Sequence, residues 1–321
     1  MRAAYAATQS PDDPLAGLTI GDLQVPEAPA GFRRVRVVAS CLNHHDLWSL
    51  KGVGLPEDRL PMVLGCDAAG IDDDGNEVIV HGVVSSPEWR GDETLDPKRS
   101  LLSERHPGTM ADYVWVPGRN LVPKPAELSF EEAACLPTAW LTAYRMLFTV
   151  SPAAPGSTVL VQGAGGGVAS ALIALAAAAG FRVWATSRTA AKRERALELG
   201  AEQAFDTGAR LPERVDVVFD SVGEATWSHS LKSLVPGGTV VTCGATSGPA
   251  PSADLNRVFF LQLRVLGSTM GTREELGRLT RFLVATGVRP VIDTVLPLDD
   301  AAEGFRRMLE GDVFGKIVFR H

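Results

Sequence analysis

Four cysteines in 321 residues, Cys41, Cys66, Cys135 and Cys243, stand far apart with no paired spacing. No Cys-x-x-Cys metal or redox pair can be built from them. The pattern suits free thiols in a reducing compartment, so a cytoplasmic location is expected. Long apolar runs are missing too. The longest, Val168 to Ala179, is shorter than the ~18 residues a membrane span needs, and the opening MRAAYAATQSPDDPL has no signal-peptide core, so no membrane partner is expected. An excess of positive charge is absent: 31 Lys and Arg stand against 38 Asp and Glu, a net charge of −7, which argues against a nucleic-acid partner. Internal repeats and low-complexity tracts are absent as well. What remains is a globular composition, 45% hydrophobic and 21% charged, in a chain long enough for two domains with sizeable cores.

The most informative stretch runs from Thr158 to Lys192, TVLVQGAGGGVASALIALAAAAGFRVWATSRTAAK. Val159, Leu160 and Val161 read as a short buried strand, Gly163 to Gly167 as a turn, and the Ala/Leu/Ile run from Val168 to Ala179 as a helix stopped by Gly180. A second strand follows from Phe181 to Thr186, completing a βαβ unit of the dinucleotide-binding type. The chemistry explains the glycines: backbone N–H groups must approach a pyrophosphate closely, and a Cβ would be in the way. The first helical turn adds unpaired N–H donors and the positive end of the helix dipole. Two frames fit the loop: Gly163-x-Gly165-x-x-Val168 lacks the third glycine, while Gly163-x-x-Gly166-x-x-Ala169 ends in a small residue. Gly163, Ala164, Gly165, Gly166, Gly167 and Val168 are therefore candidate cofactor contacts.

The end of the second strand selects the nucleotide. NAD sites place an Asp or Glu there, whereas NADP sites use cations for the extra phosphate. Here stand Ser187, Arg188 and Thr189, then Lys192, with no carboxylate before Glu194. Ser187 can donate a hydrogen bond, Arg188 can fork onto a phosphate and Lys192 adds a point charge, so NADPH is the expected cofactor. Ligands in parallel sheets sit beyond the carboxyl ends of strands, which nominates Val222, Cys243, Gly244 and Ala245 as further contacts.

Around this unit the chain divides. Before it come strand-like segments at 32–40, 62–70, 77–84 and 110–116, a polar loop at 85–108, and helices beginning at Ser129, where Glu132 completes a capping box, and at Thr138. After it, strands at 215–220 and 239–243 alternate with a helix at 227–234. Residues 258–267 follow, then helices at 273–286 and 300–310 and strands at 293–296 and 315–319. The alternation predicts an α/β fold with a doubly wound parallel sheet for residues 125–267, joined to a β-rich domain made of 1–124 and 268–321.

With these pieces placed, the chain resembles the medium-chain dehydrogenase/reductase superfamily, on its zinc-independent, quinone oxidoreductase-like (zeta-crystallin-like) branch. The resemblance spans nearly the whole length and rests on LNHHDLW, LGCDAAG, GTMADYV, VLVQGAGGGVAS, DSVG, LVPGGTVVTCG, LGSTMG and the closing GKIV. It implies a GroES-like catalytic domain, a Rossmann cofactor domain and a cleft between them. It also implies a homodimer in which a strand near Val258 to Leu266 pairs across a two-fold. It adds Thr142 and Lys316 as cofactor contacts. Residues that hold the catalytic zinc of related alcohol dehydrogenases correspond here to Asn43, Cys66 and Thr138, and the loop 85–108 has no cysteine. An amide and a hydroxyl are poor zinc ligands, so no metal site is expected.

The resemblance then implies hydride transfer from NADPH to a small-molecule quinone or conjugated enone, with a donor steadying the developing oxyanion. Asn43 and His45 occupy the region of the zinc ligand and proton relay of the zinc enzymes, and His45 could protonate the enolate. Asp46 completes the catalytic candidates, with a hydrogen-bonding role in holding the loop. Two rival readings remain: an NADPH-binding redox-sensing or structural protein without turnover, and a residual zinc-type alcohol dehydrogenase.

Overall fold

The computed structural model describes residues 1–25 and 27–321. It separates into two compact units, residues 1–141 with 271–321, and residues 142–270.

The first unit is built on the strand Phe32–Cys41, whose buried residues Val35, Val37 and Ala39 alternate before its end becomes wholly buried. That strand is shared. It pairs antiparallel with Asp67–Asp72, with Tyr113–Pro117 along its first half, and with the C-terminal strand Lys316–Arg320 along its last residues. Thus 271–321 returns to complete a seven-stranded sheet that the first 141 residues leave unfinished. The helix Ala301–Glu310 packs Phe305 beside Phe319, Leu42, Leu47 and Leu50 in one buried cluster. A second cluster centres on Val35, Val37, Val80 and Val114. The segment expected as one strand at 62–70 is instead Met62–Val63 and Asp67–Asp72, broken at Leu64–Cys66, where Gly65 takes φ +99°. That break turns Cys66 and Asp67 into the site described below.

The second unit holds six parallel strands in the order Gln203–Phe205, Arg182–Thr186, Thr158–Val161, Val215–Asp220, Leu234–Thr242 and Arg264–Gly267. Counted along the chain this is the order 3-2-1-4-5-6 of the dinucleotide-binding fold. Leu160, Trp184, Val218, Leu231 and Val240 are buried together in its core. The helix expected from Val168 forms as Gly167–Ala178.

The strand expected at 77–84 is also divided, into Glu77–Val80 and Val83–Val84, and two longer segments depart from expectation. Residues 125–141, assigned by sequence to the cofactor domain, cluster with the first unit, where the helix Phe130–Ala134 packs on Phe32–Cys41 and Asp67–Asp72. Residues 258–266 are not one strand: Leu255–Phe260 is helical, capped by the Asp254 side chain on Arg257 N–H, and only Arg264–Gly267 is extended. Apolar periodicity over VFF could not distinguish the two.

Candidate functional site

In the second unit, the turn after Thr158–Val161 has the shape of a phosphate cradle. Gly163 has φ +73° and an added Cβ would lie 2.7 Å from Val222 Cγ2; Gly165 has φ +127° and its Cβ would lie 2.8 Å from the Lys192 chain. The helix Gly167–Ala178 begins at Gly166 without a side-chain cap, so its first-turn amides stay available to an anion. Ala164 N–H is held by Thr186 O at 2.7 Å, which fixes the turn against the end of the second strand. At that end Ser187 is buried and Arg188 exposed, while Arg193 is committed, donating to Ser187 O at 2.9 Å and pairing with Asp206.

Val222 and the segment Cys243–Ala245 meet on the same side. Ser247 N–H donates to Val222 O at 2.8 Å, and a Cβ on Gly223 would lie 2.9 Å from Ala245 Cα. Cys243 is a thiol there, its pKa pushed up to about 12 by burial and by Asp220. Thr142, at the start of this unit, is buried.

Beneath the turn runs a polar chain that sequence reasoning missed. Thr186 Oγ1 donates to Gln162 Oε1 at 2.6 Å, and Gln162 Nε2 reaches Ser230 Oγ at 3.1 Å. Ser230 donates to Asp220 Oδ2 at 2.6 Å, and Asp220 also accepts from Val222 N–H and Thr226 Oγ1. Every one of these polar side chains is buried, and together they hold three strand ends level. The available signal was Gln162, a polar break in an apolar strand.

In the first unit the catalytic candidates come together. Asn43 precedes the helix His44–Leu50, and Asp46 closes back on it: Asp46 Oδ2 accepts Asn43 N–H and its Oδ1 accepts Gly65 N–H, both at 2.9 Å. Burial raises the Asp46 pKa to about 6. With both oxygens holding backbone, Asp46 joins the helix start to the Gly65 turn. Asn43 Nδ2 donates to Asp67 Oδ2 at 2.8 Å, and Thr138 Oγ1 donates to Asp67 Oδ1 at 2.5 Å from the π-helical segment Leu136–Trp140. Lys316, expected as a cofactor contact, joins this group within the first unit. Its buried ammonium donates to Asn43 Oδ1 at 2.5 Å and Leu42 O at 2.7 Å, 3.8 Å from Asp67 Oδ2. Burial alone would lower the Lys316 pKa, but Cys41, Asp67, Cys135 and Asp46 outweigh it and leave it raised.

His45 stands in a second group. Its Nδ1 lies 3.4 Å from Cys66 Sγ and its Nε2 lies 3.2 Å from Glu104 Oε1. Burial opposes a charge on the ring, yet the Cys66 sulfur and the Glu104 carboxylate outweigh it and lift the pKa well above the imidazole value. Glu104 is itself held below the carboxylate range, since His45, Leu101 N–H and Ser100 overcome its desolvation. Glu104 was not a sequence candidate; it lies in the polar loop, 59 residues from its partner. Among the described residues no group of three or more His, Cys, Asp or Glu side chains is placed to hold a metal ion, and all four cysteines are free. No helix among them is long and apolar enough to cross a membrane.

A glycine turn on a 3-2-1-4-5-6 parallel sheet, joined in one chain to a β-rich unit with a buried polar centre, defines a two-unit protein of the dinucleotide-binding class. Comparison with known proteins narrows this. Residues 30–126 match the family model described as alcohol dehydrogenase GroES-like domain, and residues 167–285 the one described as zinc-binding dehydrogenase. The chain is 32% identical to 2-methylene-furan-3-one reductase of Solanum lycopersicum, over 92% of this chain and 74% of that protein. It superposes on an NAD-dependent alcohol dehydrogenase with a TM-score of 0.92 at 36% identity, each chain fully covered. It superposes at 0.90 and 26% identity on the 2-octenoyl-CoA carboxylase reductase CinF in complex with NADP and 2-octenoyl-CoA, over 99% of this chain and 87% of that one. The chain belongs to the medium-chain dehydrogenase/reductase superfamily.

Proposed function

We propose that the chain reduces a conjugated carbonyl compound, an enone or a quinone, with NADPH as hydride source and without a metal ion. The observation that carries this reading is the set of bonds around Asn43. Residues corresponding to the zinc ligands of related enzymes include Asn43 and Thr138, and both are committed to Asp67. The amide oxygen of Asn43 receives an ammonium, that of Lys316. A carboxamide and a hydroxyl are poor ligands for Zn²⁺, the Cys66 thiol is turned to His45 and Leu102 O, and the Lys316 ammonium stands 3.8 Å from Asp67, so this centre does not fit the metal. Simple alcohol oxidation, which leans on a Lewis acid, is disfavoured accordingly.

The glycine turn does fit a dinucleotide: a side chain at Gly163 or Gly165 would fill the cradle, and Lys192 lies beside it. The turn would hold the pyrophosphate of NADPH, whose nicotinamide ring would supply the hydride. Ser187 and Arg188, with no carboxylate at the strand end, support the 2′-phosphate form. His45, whose pKa burial would lower but Cys66 and Glu104 together raise, is the residue suited to deliver a proton to the enolate once the β-carbon is reduced. Asn43, held by Lys316 and Asp67, orients the helix start that carries His45. The tomato relative, whose named substrate is an exocyclic enone, and the enoyl-CoA complex support this substrate class.

A homodimer is part of the same reading. Arg264–Gly267 is the edge of the parallel sheet, and Leu255, Phe259, Phe260 and Val265 are exposed beside it, at 69%, 67%, 79% and 45%. An unpaired edge flanked by apolar side chains invites pairing with a second copy.

The test is oxidation of NADPH by a panel of enones and quinones in metal-free buffer, with NADH and simple alcohols as the rival pair. Tight NADPH binding with no turnover across the panel would favour a non-catalytic nucleotide-binding protein. Alcohol turnover with stoichiometric zinc would favour the zinc-type dehydrogenase.

A further inference from the structure

A cavity of about 560 Å³ opens in the first unit between the start of Phe32–Cys41 and the polar loop. It shares no lining residue with the Asn43 or His45 groups. The volume suits a small organic ligand. Its chemistry is one-sided: Lys98, Arg105 and Arg119 line it and no carboxylate does. Both arginines are steadied by neutral oxygens, Arg105 by Lys98 O at 3.5 Å and Arg119 by Ser85 O, so their charge is positioned without being cancelled. One wall is aromatic, Phe32 against His106 with ring centres 5.4 Å apart. Burial together with Arg105 and Arg59 lowers the His106 pKa, so at neutral pH that wall is an uncharged ring. Ser100, also lining the cavity, places its hydroxyl 3.3 Å from Glu104 Oε2, so the cavity adjoins the His45 pair without including it.

We propose that this cavity binds a small organic anion, an apolar or aromatic body carrying a carboxylate or phosphate, with the anionic group on Arg105 and Arg119 and the body against Phe32 and His106. Guanidinium forks match both groups, and the missing carboxylates leave the charge for a ligand to neutralise. The aromatic wall and the cationic side chains together select an amphipathic anion over an inorganic ion.

Calorimetric titration tests this on the full chain saturated with NADPH, so that the nucleotide turn is occupied. The probes are 1-naphthoate, 1-naphthyl phosphate and neutral 1-naphthamide. At least one anion is expected to bind one-to-one, and whichever is tighter identifies the group recognised. The amide is expected to bind roughly tenfold more weakly or worse. Arg105→Gln and Arg119→Gln should each weaken the anion by a similar factor while leaving NADPH affinity and the thermal midpoint unchanged. Because Arg119 also steadies Ser85 O, Lys98→Gln serves as a further variant and should weaken the anion too. Absence of binding by both anions, equal binding of the amide, or unaltered affinity in all three variants would overturn the proposal. So would anion binding that appears only in the NADPH-free chain, which would place it in the nucleotide site.

Discussion

Replacing Lys316 by methionine keeps a chain of similar length but withdraws an ammonium on which several buried oxygens depend. Its Nζ lies 2.5 Å from Asn43 Oδ1, 2.7 Å from Leu42 O and 3.8 Å from Asp67 Oδ2, and Lys316 and Asp67 are 3% and 0% exposed. At that last separation two unit charges attract by about 4 kcal/mol at an effective dielectric of about 20. Deleting one member of a buried pair typically costs roughly 3–5 kcal/mol, because the other charge is stranded. Lys316→Met is thus expected to destabilise the first unit by about 3–5 kcal/mol. Adding Asp67→Asn to it should cost less than the two single changes together, with a coupling of about 1–3 kcal/mol. Urea unfolding at pH 7 measures this, with hydrogen exchange of peptides from residues 1–141 reporting the first unit separately from the second. A single-variant cost under about 1 kcal/mol with coupling below about 0.5 kcal/mol would refute the ionised Lys316–Asp67 pair and the argument against zinc built on it.

Other expectations follow from the same geometry. Asp46 has its folded pKa raised from 3.8 to about 6, so the folded state holds the extra proton between those values. Its ionisation therefore costs the fold stability as pH rises through that window, by about 3 kcal/mol in full. Wild type should lose roughly this much against Asp46→Asn between pH 4 and pH 7, read from paired denaturation curves; a constant difference would contradict it. Arg188→Ala should weaken NADPH about tenfold and leave NADH unchanged in fluorescence titrations, the loss of one charged hydrogen bond at an exposed position. His45→Gln should lower kcat about 100-fold with hydride transfer to the enone still detectable. Glu104→Gln should shift the alkaline limb of the kcat profile downward, because the carboxylate that raises the His45 pKa is gone. Val265→Asp with Phe260→Asp should convert a dimer to a monomer in sedimentation; an unchanged sedimentation coefficient would argue against edge pairing.

The nucleotide unit was legible because its signals are local. Apolar runs of strand length, glycines that must take positive φ at Gly163 and Gly165, and an alanine-rich helix all declare themselves within 35 residues. The first unit was less so. Strand Phe32–Cys41 could be read from alternation, but its partner Lys316–Arg320 lies nearly 300 residues away, and no local pattern states that pairing. The same distance hid the bond between Lys316 and Asn43, which no local pattern states. His45 and Asn43 were visible as motif residues, whereas Glu104 sat in a loop whose polarity is ordinary. The helix Leu255–Phe260 was missed because two apolar turns and a short strand have the same composition.

The central claim is that NADPH reduces a conjugated carbonyl in this protein without a metal. It is tested most directly by following nicotinamide absorbance with an enone before and after exhaustive chelation, with metal content measured on the same sample. The account predicts equal rates with NADPH, far slower rates with NADH, and substoichiometric zinc. Loss of activity on chelation, restored by one equivalent of zinc, would contradict it.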